Sequence, residues 1–254
     1  LSGALSGAAC TAILQSSSAT TFAAVGFVAA NLLSFPAALG IIFGANLGTT
    51  ITGWMVALLG FKLKLGLLAL PLVFTGAALK LFAGRRLAAV GLALAGLGLL
   101  FVGISMMQEA MVSLRSLISF EQLPADTLVG RIKLIGLGIV FTIIAQSLSA
   151  GVAATLTALY AGMIDFEQAA ALVIGMDVGT TFTALAATVG ATTNARRTGL
   201  SHVVYNVITG TVALFLITPY VAVWETLAPG ALAQHMEIGL VAFHSTFNGL
   251  GVIA

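Results

Sequence analysis

The sequence predicts an all-α integral membrane protein built from two inverted repeats, each with a re-entrant helical hairpin and a discontinuous transmembrane helix. Three observations carry that reading. First, only 7% of the 254 residues are charged and 59% are hydrophobic, whereas a soluble domain carries about 25% charged residues. Mean hydropathy is correspondingly high, +1.13. Second, apolar segments recur at lengths suited to membrane helices. Third, two polar stretches repeat each other in register. Gln15-Ser16-Ser17-Ser18-Ala19 returns as Gln146-Ser147-Leu148-Ser149-Ala150, and Gly44-Ala45-Asn46-Leu47-Gly48-Thr49-Thr50 returns as Gly175-Met176-Asp177-Val178-Gly179-Thr180-Thr181, both at an offset of 131 residues. Gly7/Gly138, Thr11/Thr142, Phe35/Phe166 and Thr52/Thr183 keep the same register. Paired, helix-interrupting polar motifs inside apolar segments are the mark of transport proteins built from repeats.

Taken in order, residues 3–14 and 19–30 are apolar runs of about 12 residues on either side of the first Gln-Ser motif. A spanning helix needs about 20 residues, and lengths of 10–14 suit re-entrant pieces. The pair reads as a hairpin with the serines at its tip. The segment 35–59 is long enough to span, but glycine and clustered threonines weaken a helix locally, so the Gly-x-x-x-Gly-Thr-Thr motif predicts a break. Residues 65–82 and 87–110 read as plain spans. A polar linker follows over 111–133, carrying Arg115, Glu121, Pro124, Asp126, Arg131 and Lys133. The second hairpin is expected at 134–145 and 150–161, the second broken helix at 166–189, and further spans at 199–218 and 236–254.

Three spans separate the two hairpins, and an odd number places them on opposite sides, which makes the repeats inverted, the geometry alternating access requires. The predicted organisation is a first repeat over 1–82 that lacks its lead helix, a second over 87–218 that includes the linker, and an additional helix at 236–254. The chain starts at Leu1 and stops within an apolar stretch at Ala254, so a longer parent chain is expected.

The 29 glycines fit close helix packing in lipid. The single cysteine, Cys10, offers neither a disulfide nor a metal cluster. A net charge of +2 from scattered basic residues gives no nucleic-acid surface. One face carries Lys62, Lys64, Arg115, Arg131 and Lys133, the other Lys80, Arg85, Arg86, Arg196 and Arg197. The counts tie, and the shorter loops around Arg85-Arg86 and Arg196-Arg197 favour the second face as cytoplasmic.

A hydroxyl-rich hairpin tip can serve two kinds of ligand. Serine O–H groups and the free backbone N–H groups of a helix N-terminus donate to an anion, while hydroxyl, carbonyl and amide oxygens coordinate a cation. Gln15, Ser16, Ser17, Ser18, Gln146, Ser147 and Ser149 are therefore the candidate oxyanion ligands. A lone membrane serine would simply bond back to its own helix, but a doubled motif argues against that. Asn46, Thr49, Thr50, Asp177, Thr180 and Thr181 are the candidate sodium ligands. Plain Gly-xxx-Gly helix packing is the structural alternative. Asp177 weighs against it, since an acid near mid-membrane costs at least about 2.5 kcal/mol; an Arg partner is its structural alternative, and proton coupling its other functional one. His202-x-x-Tyr205-Asn206 and His244-x-x-Phe247-Asn248 each present a polar stripe on one helix face, open between packing and substrate contact.

These motifs resemble the type II sodium–phosphate cotransporter family, bacterial branch, which carries a Gln-Ser-Ser-Ser motif in each of two inverted repeats. Gln15 to Thr21, Gly44 to Thr50, Ala195-Arg196-Arg197 with His202 and Asn206, and His244 to Asn248 all look like the family, and the likeness covers nearly the whole chain. Leu148 stands where the family's middle serine is expected, and Asp177 where asparagine is common. The resemblance implies symport of inorganic phosphate with Na⁺ as coupling ion, no cofactor, a multi-pass protein of the cell membrane, and a C-terminus inside. Another small oxyanion, or H⁺ coupling, is the alternative. A membrane enzyme acting on lipid phosphate is the rival of a different class, and the three histidines lack the companions it would need; a channel or structural bundle would not need doubled motifs. The oligomeric state is left open, a homodimer included.

Overall fold

The computed structural model describes residues 1–62, 65–114 and 123–253. All described secondary structure is helical: α1 (Ser2–Leu14), α2 (Ser17–Ala29), α3 (Phe35–Met55), α4 (Ala69–Phe82), α5 (Arg85–Leu114), α6 (Leu128–Ala145), α7 (Leu148–Tyr160), α8 (Phe166–Ala186), α9 (Thr193–Leu227), the single turn α10 (Ala231–Gln234) and α11 (Met236–Ile253). A π-helical stretch, Val56–Lys62, extends α3, and a 3₁₀ turn, Leu65–Leu68, leads into α4. Of the charges expected on the two faces and in the linker, Lys64, Arg115 and Glu121 lie outside the described residues.

Among the described residues five stretches are long and apolar enough to cross a membrane: Phe35–Phe61, Arg85–Met111, Leu128–Ala145, Phe166–Ala186 and Thr193–Leu227. The chain is a multi-pass α-helical membrane protein. Its outward-facing side chains agree, with Leu5, Ile13, Phe74, Phe82, Leu99 and Phe215 all exposed where lipid rather than water would meet them.

The 131-residue register reappears in the backbone. Helices α2 and α7, and likewise α3 and α8, begin and end at matched positions. Helix α1 lies along α3, and α6 along α8. In the first pair a Cβ on Gly7 would strike the carbonyl oxygen of Ile41, and one on Gly44 the carbonyl oxygen of Ala4. In the second pair Gly138 meets Leu172 and Gly175 meets Ile135 in the same way. Each partner is the 131-residue counterpart of the other, so both hairpins seat their first helix by the same backbone-to-backbone contact.

This packing corrects one expectation. Helices α3 and α8 are not discontinuous at the Gly-x-x-x-Gly-Thr-Thr motifs; each runs unbroken for 21 residues. The glycines are buried against a neighbouring helix, which offsets their intrinsic cost. The threonines bond back to their own helix: Thr49 Oγ1 donates to Ala45 O at 3.0 Å, Thr50 to Leu47 O, Thr180 to Asp177 O and Thr181 to Val178 O. Irregular backbone falls later, in the π-helical stretch after Met55 and in the turn after Ala186. The plain span expected at 65–82 is a 3₁₀ turn plus a 14-residue helix. The one expected at 199–218 belongs to a 35-residue helix that continues through Pro219. The first arm of the second hairpin, expected at 134–145, begins earlier, at Leu128, and is 18 residues long.

Helix entry follows local chemistry. Asp165 and Gln168 form a reciprocal capping box at the start of α8. Thr127 caps α6. Beside it, Arg131 donates to Glu167 Oε2 at 2.9 Å and to Thr218 Oγ1 at 2.9 Å, tying α6 to α8 and α9.

Gly7→Ala and Gly138→Ala should each destabilise the protein, by about 1–3 kcal/mol for a forced backbone shift. Gly26→Ala, where an added Cβ meets nothing within 4 Å, should raise stability by about 0.5–1 kcal/mol. Thermal unfolding in detergent reads both, and equal behaviour of the three variants would contradict the packing argument.

Candidate functional site: two hairpin tips and two buried polar nodes

The two hairpin turns are built alike. Gln15 ends α1 in the left-handed region with φ 54°, and Gln146 ends α6 with φ 52°. A side chain other than glycine at positive φ is uncommon and costs energy; its recurrence at matched positions points to function at the turn. The next residue in each repeat is extended and caps the following helix: Ser16 Oγ accepts from Ala19 N at 3.2 Å, and Ser147 Oγ from Ala150 N at 3.2 Å. Capping leaves the first backbone N–H groups of α2 and α7, those of Ser17 and Ser18 and of Leu148 and Ser149, without intrahelical partners. Each turn therefore presents donors suited to an anion.

Position 17 and its counterpart 148 are both buried, and Leu148 belongs to the main apolar core. The leucine in the second motif thus fits a site where the fold has no need of a hydroxyl. Behind the tips the repeats diverge in a compensated way. Thr11 Oγ1 donates to Thr20 Oγ1 at 2.9 Å. Gly151 takes the place of Thr20 in the second repeat, where Met176 Sδ fills the space and Thr142 Oγ1 has no partner among the described residues.

The tips meet through a residue that the motifs leave out. Thr52 Oγ1 donates to Gln15 Oε1 at 2.6 Å and lies 3.2 Å from Ser149 Oγ. One hydroxyl therefore joins the glutamine of the first hairpin to the serine of the second, bringing together candidates distant in sequence. The amide of Gln15 is fixed further by donating to Ala12 O at 2.6 Å, and that of Gln146 by donating to Ile143 O.

Asn46 and Asp177 occupy two buried nodes of matching design. Asn46 Nδ2 donates to Asn206 Oδ1 at 3.0 Å, and Asn46 Oδ1 lies 3.2 Å from His202 Nε2. Asp177 Oδ2 accepts from Asn248 Nδ2 at 2.8 Å and lies 3.2 Å from His244 Nε2. All six residues are nearly inaccessible. Among the described residues the acid has no Arg partner; histidine and asparagine surround it. The two His-x-x-aromatic-Asn stripes, 42 residues apart, thus each dock on one repeat. Tyr205 connects the nodes by donating to Asn248 O at 3.3 Å and stacking on Phe43. The 131-residue register could not show this pairing because both stripes lie on helices that follow the second hairpin. Their shared 42-residue spacing was the available signal. Among the described residues Asn248 Oδ1 and His244 Nδ1 are buried without a hydrogen-bond partner, so an unfilled acceptor lies on the asparagine that holds Asp177.

A doubled polar centre inside an apolar helical bundle is the build of a membrane transporter. The chain belongs to the Na⁺/Pi-cotransporter family, which it matches over residues 1–109 and 118–244. That is a family of transporters, not enzymes. Similar proteins include one named "Uncharacterized protein YqeW" of Bacillus subtilis, 30% identical over 86% of this chain and 70% of its own length. Another, of Escherichia coli K12, is named "Putative inorganic phosphate export protein YjbB" and is 31% identical over 94% of this chain. The Salmonella typhimurium protein of the same name is 33% identical over 86%. The chain spans 42% and 39% of those two proteins' lengths. No solved structure matches it.

Asp177→Ala should destabilise the protein by about 1–3 kcal/mol for each buried donor it orphans. Asp177→Asn should remain near the parent, because Asn46 shows an amide satisfying the same His–Asn pair and the new Nδ2 can serve Asn248 Oδ1. Detergent melting temperatures decide this; equal losses in both variants would refute the node.

Proposed function

We propose that this chain carries inorganic phosphate across the cell membrane together with Na⁺, by alternating access between two re-entrant hairpins of inverted orientation. Membership of the Na⁺/Pi-cotransporter family supports the substrate pair. The observation that carries the reading is the junction at Thr52, where the polar turns of the two repeats meet. Gln15, Ser16, Ser17, Ser18, Gln146, Ser147 and Ser149 would hold phosphate, with serine O–H groups and the free N–H groups of α2 and α7 as donors. Asn46, Thr49, Thr50, Asp177, Thr180 and Thr181 would hold Na⁺. The unfilled Oδ1 of Asn248 beside the Asp177 carboxylate favours a cation there. The threonines use their protons on helix carbonyls, which leaves oxygen lone pairs for a hard cation. The repeats would divide the chain as 1–82 and 87–218, with 236–254 supplying the helix that bears His244 and Asn248.

A coupled carrier is reversible, and its net direction follows the summed gradients of its substrates. An inward Na⁺ gradient drives phosphate inward. The relatives named for export raise outward flux as the second reading, and a reconstituted system separates the two. In proteoliposomes of the full chain, labelled phosphate should accumulate under an inward Na⁺ gradient and fail to do so without one. Accumulation driven by a pH gradient in the absence of Na⁺ would replace sodium by protons. No phosphate flux in either direction would remove the substrate.

Gln15→Ala and Gln146→Ala should each abolish uptake in a folded protein, since each removes an amide donor and acceptor beside a hairpin tip, and truncation of Gln15 also strands the Thr52 hydroxyl at about 1–3 kcal/mol. Near-normal uptake by both would make the glutamines structural. Asp177→Asn should weaken Na⁺ affinity by one to a few kcal/mol, since a charged oxygen is the stronger cation ligand, and should change the charge moved per cycle. Unchanged affinity and charge in that variant would exclude Asp177 from the sodium site.

A further inference from the structure

Three residue types recur at matched positions around the hairpin junction: Thr52 and Thr183, Gln15 and Gln146, Ser149 and Ser18. Only one of the two resulting triads is closed. Thr52 is buried and holds Gln15 and Ser149. Among the described residues, Thr183 Oγ1 makes no hydrogen bond, Gln146 Oε1 accepts none, and Gln146 is exposed.

The protons in the closed triad run in one direction. A threonine hydroxyl has a single proton, and Thr52 gives it to Gln15 Oε1. The 3.2 Å contact to Ser149 must therefore be Ser149 donating to Thr52. The relay runs from Ser149 through Thr52 and Gln15 to Ala12 O, from the second hairpin into the first. Each bond polarises the next. While the relay stands, the Ser149 proton is committed to Thr52 and cannot be offered to an oxyanion.

We propose that Thr52 and Thr183 are positioning residues that latch the hairpins alternately. Thr52 bridges Gln15 and Ser149 in the state seen here, and Thr183 bridges Gln146 and Ser18 in the state facing the other way. The inference rests on the transport reading above. Phosphate arriving at the tips accepts the Ser149 hydrogen bond in place of Thr52, releases Thr52 and frees the hairpins to exchange partners. Identical side chains in the two triads would keep the latches similar in strength, so that neither state is a trap.

Disulfide trapping tests the exchange directly. In a Cys10→Ala background, one variant carries Thr52→Cys with Ser149→Cys, the other Thr183→Cys with Ser18→Cys. Both pairs should cross-link under mild oxidation, and conditions that raise one should lower the other several-fold. The variants Thr52→Val and Thr183→Val should each slow Na⁺-driven phosphate uptake at least tenfold, with Thr52→Ser and Thr183→Ser restoring it, since only the hydroxyl is needed. A wild type that carries phosphate while the Thr183 pair never cross-links would overturn the latch and leave the transport reading standing. Full activity of either valine variant would also overturn it. Both pairs cross-linking in a protein that carries no phosphate would keep the two-state latch and remove its substrate.

Discussion

The contact of α1 with α3, repeated between α6 and α8, is the constraint from which the rest of the structure follows. In each pair, carbonyl oxygens occupy the space where glycine lacks a Cβ. Lipid offers helices no hydrophobic reason to associate, so close van der Waals packing of small residues has to do it. That packing fixes each hairpin's first arm on a long buried helix and thereby fixes where its turn ends. The same long helices carry Asn46 and Asp177 one turn or less from the packing glycines. The positions of the hairpin turn and of Asn46 or Asp177 are thus set by a single interface in each repeat.

Polar groups deep in such a bundle must find partners within the protein, and the two nodes show how that demand is met. Histidine and asparagine from α9 serve Asn46, and the same pair of residue types from α11 serves Asp177. The chemistry differs by one atom. An amide offers both a donor and an acceptor, whereas a carboxylate offers only acceptors, so Asn206 Oδ1 is satisfied while Asn248 Oδ1 is not. With acid in place of amide, the asparagine of the second node keeps an oxygen to spare. Tyr205 joins the nodes, so a ligand bound at one would be felt by the helix that serves the other.

At the junction of the turns the two repeats differ in their contacts. Thr52, Gln15 and Ser149 meet there, and their counterparts Thr183, Gln146 and Ser18 form no such contact among the described residues. In the closed half Thr52 is buried and Gln15 and Ser149 are half-buried, whereas in the other Thr183 and Ser18 are half-buried and Gln146 is exposed. The exchange proposed above would give these matched halves two equivalent arrangements, which is the property a carrier requires.

Composition and register by themselves determined the membrane class and the two hairpin turns. Those features follow from local length, polarity and spacing, which a doubled sequence displays twice. The helix break expected at the glycine–threonine motifs was a local inference too, and it failed. The cost of glycine in a helix depends on what packs against it, and here a neighbouring backbone fills the space. The partners of Asp177 and Asn46, the bridge at Thr52 and the closure of one triad rather than its twin were decided by tertiary structure alone. Each joins residues from helices whose order along the chain carries no record of which side chains face one another, and a repeat register gives equivalent positions, not contacts between them.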